Sequence, residues 1–219
     1  MVLLPFRTVL PQTENGLVLY LTGNAGAGKI MHDCSPMGNN GRIHGATWTQ
    51  GKFGKALSFD GEDDYVEVPD SESLNLSNEF TAMAWFKVNS WPEQYGCILD
   101  KGYSGNRNYA IYSKNNGDIW YATHNASGEI SDIYPAGVEP GRWYFVAISA
   151  DGSRLRLFLN GEQVDSVAAA GPYTTYAEPL RIGERAKTND LNFNGIIDEV
   201  RIYNRALSEE EIRKLYLQG

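Results

Sequence analysis

The stretch TGNAGAGKIM, which begins at Thr22, has the spacing of a phosphate-binding loop. Gly23, Gly28 and Lys29 satisfy the pattern G-x-x-x-x-G-K, in which backbone N–H groups hold phosphates and the lysine reaches the terminal ones. Two other requirements fail, because Ile30 occupies the position of the magnesium-holding Ser or Thr and the following MHDCSPMGNNG cannot propagate a helix. We therefore interpret the stretch as a surface turn without nucleotide chemistry.

The acidic and histidine side chains do not form a catalytic pattern. A retaining glycosidase needs two carboxyl groups about 5–5.5 Å apart, typically from E-x-D-x-x-E on one face of a strand, and IDEV at residues 197–200 does not supply that spacing. His32, His44 and His124 are spread widely along the chain, and no clustered Arg, His and Tyr motif of a polysaccharide lyase is present. The sequence therefore predicts a protein without enzymatic activity, with a hydrolase or lyase as the less favoured alternative.

Short alternating apolar runs, separated by Asn-Gly and Asp-Gly pairs, make up most of the chain. Such pairs tolerate the positive φ of tight hairpin turns. In the hairpin predicted for residues 143–160, Arg154 and Arg156 alternate with leucines, so one face of the strand is exposed and the other is buried. Residues 108–124 repeat this design. The pattern predicts an antiparallel all-β protein.

One helix is predicted at the C-terminal end of the sequence. Ser208 followed three residues later by Glu211 forms a capping box, and Ile212, Leu215 and Tyr216 form one apolar stripe. We expect this helix to pack on the sandwich as a structural cap.

The composition is that of one globular domain with a sizeable core. The chain has 219 residues, of which 42% are hydrophobic, 12% aromatic and 21% charged. A formal net charge of −8 leaves no basic surplus, so neither nucleic acid nor an anionic membrane surface is expected as a partner. Cys34 and Cys97 form neither a disulfide framework nor a zinc-ligand spacing, which leaves their pairing open.

The N-terminal MVLLPFRTVLPQ is apolar but interrupted by Pro5, Arg7 and Pro11. It is shorter than the ~20 residues that a membrane span needs, and it lacks the basic start of a signal peptide. We interpret residues 1–15 as an arm or edge strand that could join copies of the chain into a homo-oligomer, and residues 16–219 as the domain.

Five segments carry the most distinctive sequence patterns. They are residues 16–21, 32–71, 74–88, 141–164 and 180–212, with GKFGKALSFDG and IDEVRIYNRALS the most specific phrases. In this order they resemble the LamG-like jelly-roll family of the concanavalin A-like lectin/glucanase superfamily, which is related to laminin G domains and pentraxins. The resemblance implies an antiparallel β-sandwich jelly roll of two curved sheets, with neighbouring first and last strands and a short C-terminal helix.

The resemblance also implies a structural calcium ion. If the first and last strands pair, Asp33 and the turn formed by Gly38, Asn39 and Asn40 would lie beside Asp198. Carboxylate, amide and carbonyl oxygens are the ligands that calcium prefers. The family's usual D-S-S-G-x-G-N-x-G is altered to DCSPMGNNG in this chain. The alternative is that these groups only make turn hydrogen bonds.

A second acidic cluster, Glu62, Asp63 and Asp64, follows the Asp60-Gly61 turn. A charge run beside a hairpin turn is usually a solvated loop, and metal binding is the less favoured interpretation.

Carbohydrate sites in such sandwiches place aromatic rings against sugar faces. By alternation, Tyr112 points away from the core opposite Ile111, and Trp120 and His124 share a face opposite Ile119. We predict that these three residues form one wall of a ligand site. Loop residues expected to edge the wall are Trp91, Tyr95, Tyr103 and Arg107. The alternative is that the rings fill the core, as expected for Trp85 and Trp143.

Together these features predict a non-catalytic module, stabilised by calcium, that binds a carbohydrate or glycoprotein. We expect it to be extracellular or surface-associated as part of a larger protein or assembly. The competing hypothesis is a structural or assembly protein, such as a cell-surface or virion component, that uses the sandwich for protein contacts.

Overall fold

The computed structural model describes residues 14–103, 105–186 and 191–218. The predicted N-terminal arm, residues 1–15, lies almost entirely outside this described part. The strands are β1 (Leu17–Leu21), β2 (Ile30–Met31), β3 (Gly41–His44), β4 (Thr47–Gln50), β5 (Lys55–Asp60), β6 (Tyr65–Val68), β7 (Phe80–Val88), β8 (Tyr95–Tyr103), β9 (Asn106–Lys114), β10 (Ile119–Asn125), β11 (Gly128–Tyr134), β12 (Tyr144–Ala150), β13 (Arg154–Leu159), β14 (Glu162–Ala168), β15 (Leu180–Ile182) and β16 (Asn194–Tyr203). One α-helix, α1 (Glu209–Gln218), follows them.

The strands form two eight-stranded antiparallel sheets. Sheet A has the order β14-β13-β12-β7-β16-β5-β4, with β1 added beside β16, and sheet B has the order β11-β10-β9-β8-β15-β6-β3-β2. The main core lies between them and takes the inward residue of each alternating pair, such as Leu155 and Leu157 on β13. The predicted sandwich with a short C-terminal helix is therefore confirmed.

The first and last strands are neighbours, as the resemblance implied. Leu17 pairs with Tyr203 and Leu21 pairs with Val200. The partners of β16 change near Glu199, because its N-terminal half pairs with β5 and its C-terminal half pairs with β1. Glu199 has a φ of 53° at the register shift between Asp198 and Arg201, which is the geometry of a β-bulge.

Helix α1 covers the outer face of sheet A. Its capping box is formed, since the Ser208 N–H donates to Glu211 Oε2 at 2.9 Å and the Glu211 N–H donates to Ser208 Oγ at 3.3 Å. Ile212 is fully buried, and the Tyr216 ring stacks on Trp85 with ring centroids 5.4 Å apart. Within the described residues, no helix has the length and apolarity needed to cross a membrane.

The loop that resembles a phosphate-binding motif folds as a turn. Gly23–Ala25 form a short 3-10 helix, and the chain then enters β2 at Ile30, where a phosphate-binding loop would begin an α-helix. At Gly23, a Cβ atom would lie 1.5 Å from the backbone oxygen of Lys55. The first glycine of the motif therefore permits close packing of two backbone segments.

We predict that Gly23→Ala lowers the free energy of unfolding by at least about 3 kcal/mol, because a backbone overlap cannot be relieved by side-chain movement. The matched variant is Gly28→Ala, where φ is +88° but nothing lies within 4 Å. Its cost should be about 1 kcal/mol, that of a left-handed backbone alone. Chemical denaturation of both variants measures the difference, and equal losses would contradict the packing explanation.

Candidate functional site

A row of side chains crosses four strands on the outer face of sheet B. Strand pairing places Cys97 opposite Tyr112, Tyr112 opposite Trp120, and Trp120 opposite Ile133. Directly opposite residues share a face of the sheet, and the neighbouring Ile111 faces the main core. The row therefore faces away from the core, the orientation expected from the alternation in this hairpin.

This face contains a pocket of about 240 Å³. Its lining combines aromatic, cationic and acidic side chains from four strands and a loop. The lining residues are Tyr95, Arg107, Tyr112, Trp120, Glu129, Arg185 and Leu191. Such a mixture of rings and convergent polar groups is typical of ligand sites.

The aromatic part of the pocket is a cluster of three rings. The Tyr112 and Trp120 ring centroids are 5.2 Å apart, and Tyr95 lies 6.3 Å from each of them in edge-to-face contact. Tyr112 is only 1% exposed, whereas Trp120 and Tyr95 are half-buried. Tyr112 therefore supports the other two rings, and Trp120 and Tyr95 present the aromatic surface.

Arg107 lies against this cluster and is held by two carboxylates. Its guanidinium carbon is 4.8 Å from the Trp120 ring centroid. Its Nε and Nη2 atoms donate to Asp100 at 3.2–3.3 Å, and Nη1 donates to Glu129 Oε2 at 2.7 Å. The Tyr112 hydroxyl donates to the same Asp100 carboxylate. Both ends of the guanidinium are therefore anchored.

Asp100 and Arg107 form a buried ion pair beneath the pocket. Asp100 has no exposed surface, and this burial raises its pKa although the charge of Arg107 opposes the shift. Burial is the largest single influence on Arg107 and works against its charged form, but the charge and hydrogen bond of Asp100, with the charges of Tyr112 and Glu129, together raise the pKa of Arg107. The arginine is therefore permanently charged and fixed in one orientation.

Glu129 is the carboxylate that a ligand can reach. Its side chain is 36% exposed, while its Oε2 atom contacts Arg107 and lies 3.5 Å from Nε2 of His124. His124 is only 6% exposed. It lies on the predicted face of the sheet, but it is covered, so its ring contacts Glu129 and is not available for a sugar to stack on.

The other two predicted edge residues lie away from the pocket. The half-buried Trp91, in the loop between β7 and β8, packs against the main core cluster. Tyr103 ends β8 beside the turn into β9. Neither residue lines the pocket, in contrast to the expected position of both.

Sequence reasoning missed Glu129, Arg185 and Leu191. Glu129 lies opposite His124 in the hairpin of β10 and β11. Counting residues outward from the turn at Gly128 would have predicted this position. Arg185 and Leu191 lie outside regular strands, where no periodic signal could have found them.

A second cavity of about 480 Å³ adjoins the pocket. It lies between the loops that follow β5 and β7 and is lined in part by Gly61, Glu93 and Asn192. The two cavities share Tyr95 and Leu191. The two cavities therefore lie side by side, and we call them together the groove.

The oxygens of Asp33 are occupied by protein donors. Oδ1 accepts hydrogen bonds from the N–H groups of Tyr20 and Ser35, and Oδ2 accepts from the Ser35 hydroxyl and the Asn39 N–H, all at 2.7–2.8 Å. The side-chain oxygen of Asn40 accepts from the Asp33 N–H. The residues expected to hold calcium therefore do not fit that role as arranged, and they form a hydrogen-bonded turn that ends at the Gly38–Asn40 segment.

Asp198 lies at a different turn. Its carboxylate accepts hydrogen bonds from the backbone N–H groups of Phe53 at 3.0 Å and Glu199 at 2.9 Å. It is 1% exposed, and burial, with a smaller contribution from the charge of Glu199, raises the pKa of Asp198 to about 7. The contacts of Asp198 and Asp33 have no residue in common.

The described residues bring three carboxylates together in the second acidic cluster. Asp60, Asp63 and Asp64 each offer an oxygen, and these atoms lie within 4.8 Å of one another. The predicted cluster contained Glu62, Asp63 and Asp64, whereas the observed one contains Asp60 in place of Glu62. Asp64 Oδ2 accepts the N–H of Asp60 at 2.9 Å, so this group also stabilises the turn.

Comparison with known proteins adds a family and a set of structural relatives. A sequence model of the concanavalin A-like lectin/glucanases superfamily matches residues 60–213. The non-toxic nonhemagglutinin type D of Clostridium botulinum D phage is 22% identical over 169 residues, which is 76% of this chain but 14% of that protein.

Three solved structures share the fold. The binding domain of Paraclostridial Mosquitocidal Protein 1 has a TM-score of 0.75 and 20% identity, covering 94% of this chain and 52% of that chain. Domain 4 of AbnA, a GH43 extracellular arabinanase from Geobacillus stearothermophilus solved with arabinotriose, has a TM-score of 0.73 and 21% identity, covering 91% and 98%. The Botulinum neurotoxin serotype D ligand binding domain, solved with N-acetylneuraminic acid, has a TM-score of 0.70 and 17% identity, covering 93% and 51%. This chain therefore spans about half the length of the two toxin domains.

We predict that Asp33→Ala lowers the free energy of unfolding by about 1–3 kcal/mol, because it leaves buried and half-buried donors without an acceptor. The loss should be the same in calcium and in EDTA, and it is measured by denaturation in both buffers. Asp132→Ala, at an exposed carboxylate outside both acidic clusters, is the matched control. A loss seen only in calcium would contradict the turn interpretation and restore Asp33 as a metal ligand.

Asp198 should make stability depend on pH. Its folded pKa of about 7 lies above the ordinary 3.8, so the folded state holds the proton more tightly and the free energy of unfolding falls as pH rises between these values. In Asp198→Asn this contribution is absent. We expect the stability difference between wild type and variant to shrink from pH 5 to pH 8, whereas Asp132→Asn, at an exposed aspartate, should show a constant difference. A constant difference for Asp198→Asn would contradict the raised pKa.

Proposed function

Because this chain belongs to the concanavalin A-like lectin/glucanases superfamily, we propose that it is a non-catalytic module that binds carbohydrate in the groove on the outer face of sheet B. The observation that carries this proposal is the half-buried Trp120 ring, supported by Tyr112 and placed beside Arg107 and Glu129. Stacking of a ring against a sugar face supplies affinity, and the charged groups bond hydroxyls.

The polar groups of the groove suit hydroxyl recognition. Glu129 can accept hydrogen bonds from sugar hydroxyls through its exposed carboxylate. Arg107 has five N–H donors, and its Nε, Nη1 and Nη2 atoms each use one on a carboxylate. Two donors are left over on a guanidinium that lines the pocket and is 3% exposed. Because the guanidinium is already fixed, little side-chain entropy is lost when a ligand binds.

The carboxylates of the groove support binding more than catalysis. Asp100 is fully buried and accepts from Arg107 and Tyr112, so it cannot reach a substrate. Glu129 contacts Arg107 through its Oε2 atom at 2.7 Å, so one of its two oxygens is already engaged. A glycosidase needs two carboxyl groups at the scissile bond.

The relatives support a module that acts within a larger protein outside the cell. One structural relative is a domain of an extracellular arabinanase, and two others are binding domains of toxins. We propose the same arrangement for this chain, with the partner being a polysaccharide or a glycoprotein. Homo-oligomer formation through residues 1–15 stays a prediction, because it concerns residues outside the described ones.

We predict that Trp120→Ala weakens carbohydrate binding by on the order of 1–3 kcal/mol, the scale of an aromatic hot spot. Isothermal titration with arabinotriose and with the ligands found on a glycan array measures the loss. The matched control is Trp143→Ala, since Trp143 is also half-buried but packs with the cluster on the outer face of sheet A. The Trp143→Ala protein should bind carbohydrate with the same affinity as the wild type.

Three outcomes would count against the proposal. A Trp120→Ala protein that loses stability but keeps its affinity places the ligand elsewhere. Release of reducing ends from polysaccharides by the intact protein would make it an enzyme. Absence of binding to every glycan on the array would favour the structural or assembly hypothesis.

A further inference from the structure

We propose that the groove selects neutral oligosaccharides over glycans that carry a carboxylate or sulfate group. This inference rests on the proposed carbohydrate-binding function and adds the chemical class of the ligand. It depends on the charges that line the groove and on how they are paired.

The cations of the pocket are already balanced by carboxylates. Arg107 donates to both Asp100 and Glu129. Arg185, the other cation that lines the pocket, lies close enough to Asp100 for its charge to oppose the raised pKa of that carboxyl group. Two positive charges therefore face two negative ones, and an anionic ligand finds no net positive charge.

The neighbouring strand of sheet B repeats this pairing. Arg181 on β15 donates to Glu67 at 2.7 Å and to Glu184 at 3.3 Å, and its side chain is only 12% exposed. An anion that extended from the pocket toward β15 would meet two carboxylates and two arginines, because Arg42 on β3 lies opposite Glu67. This direction along the sheet therefore also offers no excess of positive charge.

The other end of the groove is acidic. Glu93 lines the second cavity and is exposed. Gly61, in the same lining, is flanked in sequence by the exposed Asp60, Glu62 and Asp63. Glu93 is the charged residue in this lining, and the carboxylates beside Gly61 and the net charge of −8 add to the negative potential around it. Lys114, whose Nζ atom lies 5.6 Å from the Tyr95 ring centroid, is a cation at this edge, but these carboxylates outnumber it. A carboxylate on the ligand would therefore be repelled in the second cavity and would find no excess of positive charge in the pocket.

Neutral sugars avoid this repulsion and keep the favourable contacts. The rings of Trp120 and Tyr95 need only the apolar face of a sugar, and Glu129 accepts from its hydroxyls. The shared lining of the two cavities allows an oligosaccharide to continue from the pocket toward Asn192. The favoured ligand is thus an uncharged chain of sugars.

The test uses the whole protein and a glycan array that pairs each neutral glycan with its sialylated or sulfated counterpart, followed by titration of the pairs that bind. We expect the charged member to bind about tenfold or more weakly, the scale of one partly screened like-charge contact, with the deficit shrinking as salt is raised from 20 to about 500 mM. Equal or tighter binding of the charged members would overturn the inference and leave the carbohydrate-binding proposal intact. Binding to no glycan would overturn both.

A variant that removes one charge tests whether the groove carboxylates cause the preference for neutral ligands. Glu129→Gln removes the exposed carboxylate and leaves Arg107 with Asp100 alone, so the affinity ratio of charged to neutral ligand should rise severalfold. Glu139→Gln is the matched control, because Glu139 pairs only with the exposed Arg142 among the ion pairs described and lies outside the groove lining. Thermal melting verifies that both variants fold. An unchanged ratio in Glu129→Gln would contradict the role of the groove charges.

Discussion

The site on sheet B depends on the buried contact between Asp100 and Arg107. A carboxylate without exposed surface is costly unless it is paired and hydrogen-bonded. Asp100 meets this condition through the guanidinium of Arg107 and the hydroxyl of Tyr112. The same contact fixes Arg107 beside Trp120 and directs its other end to Glu129. Removing Asp100 would therefore release the arginine, the tryptophan support and the exposed carboxylate together.

The two faces of the sandwich outside the main core have different uses. On sheet A the outer face is closed by α1, which packs Tyr216 and its neighbours against Trp85. On sheet B the corresponding face has no helix over it within the described residues and retains a groove bordered by loops. Burial of aromatic rings under α1 contributes stability, at about 1.5–3 kcal/mol for each large apolar side chain. On sheet B, Trp120 and Tyr95 remain half-buried and keep part of their ring surface exposed in the candidate pocket.

The terminal strands show how far the family resemblance leads. It implied that β1 and β16 are neighbours, and they do pair. The expected calcium site required more than this pairing. It also required the side-chain oxygens of Asp33 and Asp198 to point toward each other. Asp33 turns its carboxylate into its own loop, and Asp198 turns toward the residues after β4. The bulge at Glu199 separates the two halves of β16, so strand pairing alone could not place these carboxylates together.

The sequence by itself determined the class of fold, the capping box of α1 and the outward orientation of Tyr112 and Trp120. These features depend on local constraints: a strand alternates its side chains with a period of two, and a helix start needs acceptors for its first N–H groups. Only the tertiary structure decided that Glu129 lines the candidate pocket and that Trp91 packs against the main core. Such contacts depend on the register between distant strands and on the course of loops. Register shifts, such as those in β8, come from interactions across the whole sheet, which no local pattern contains.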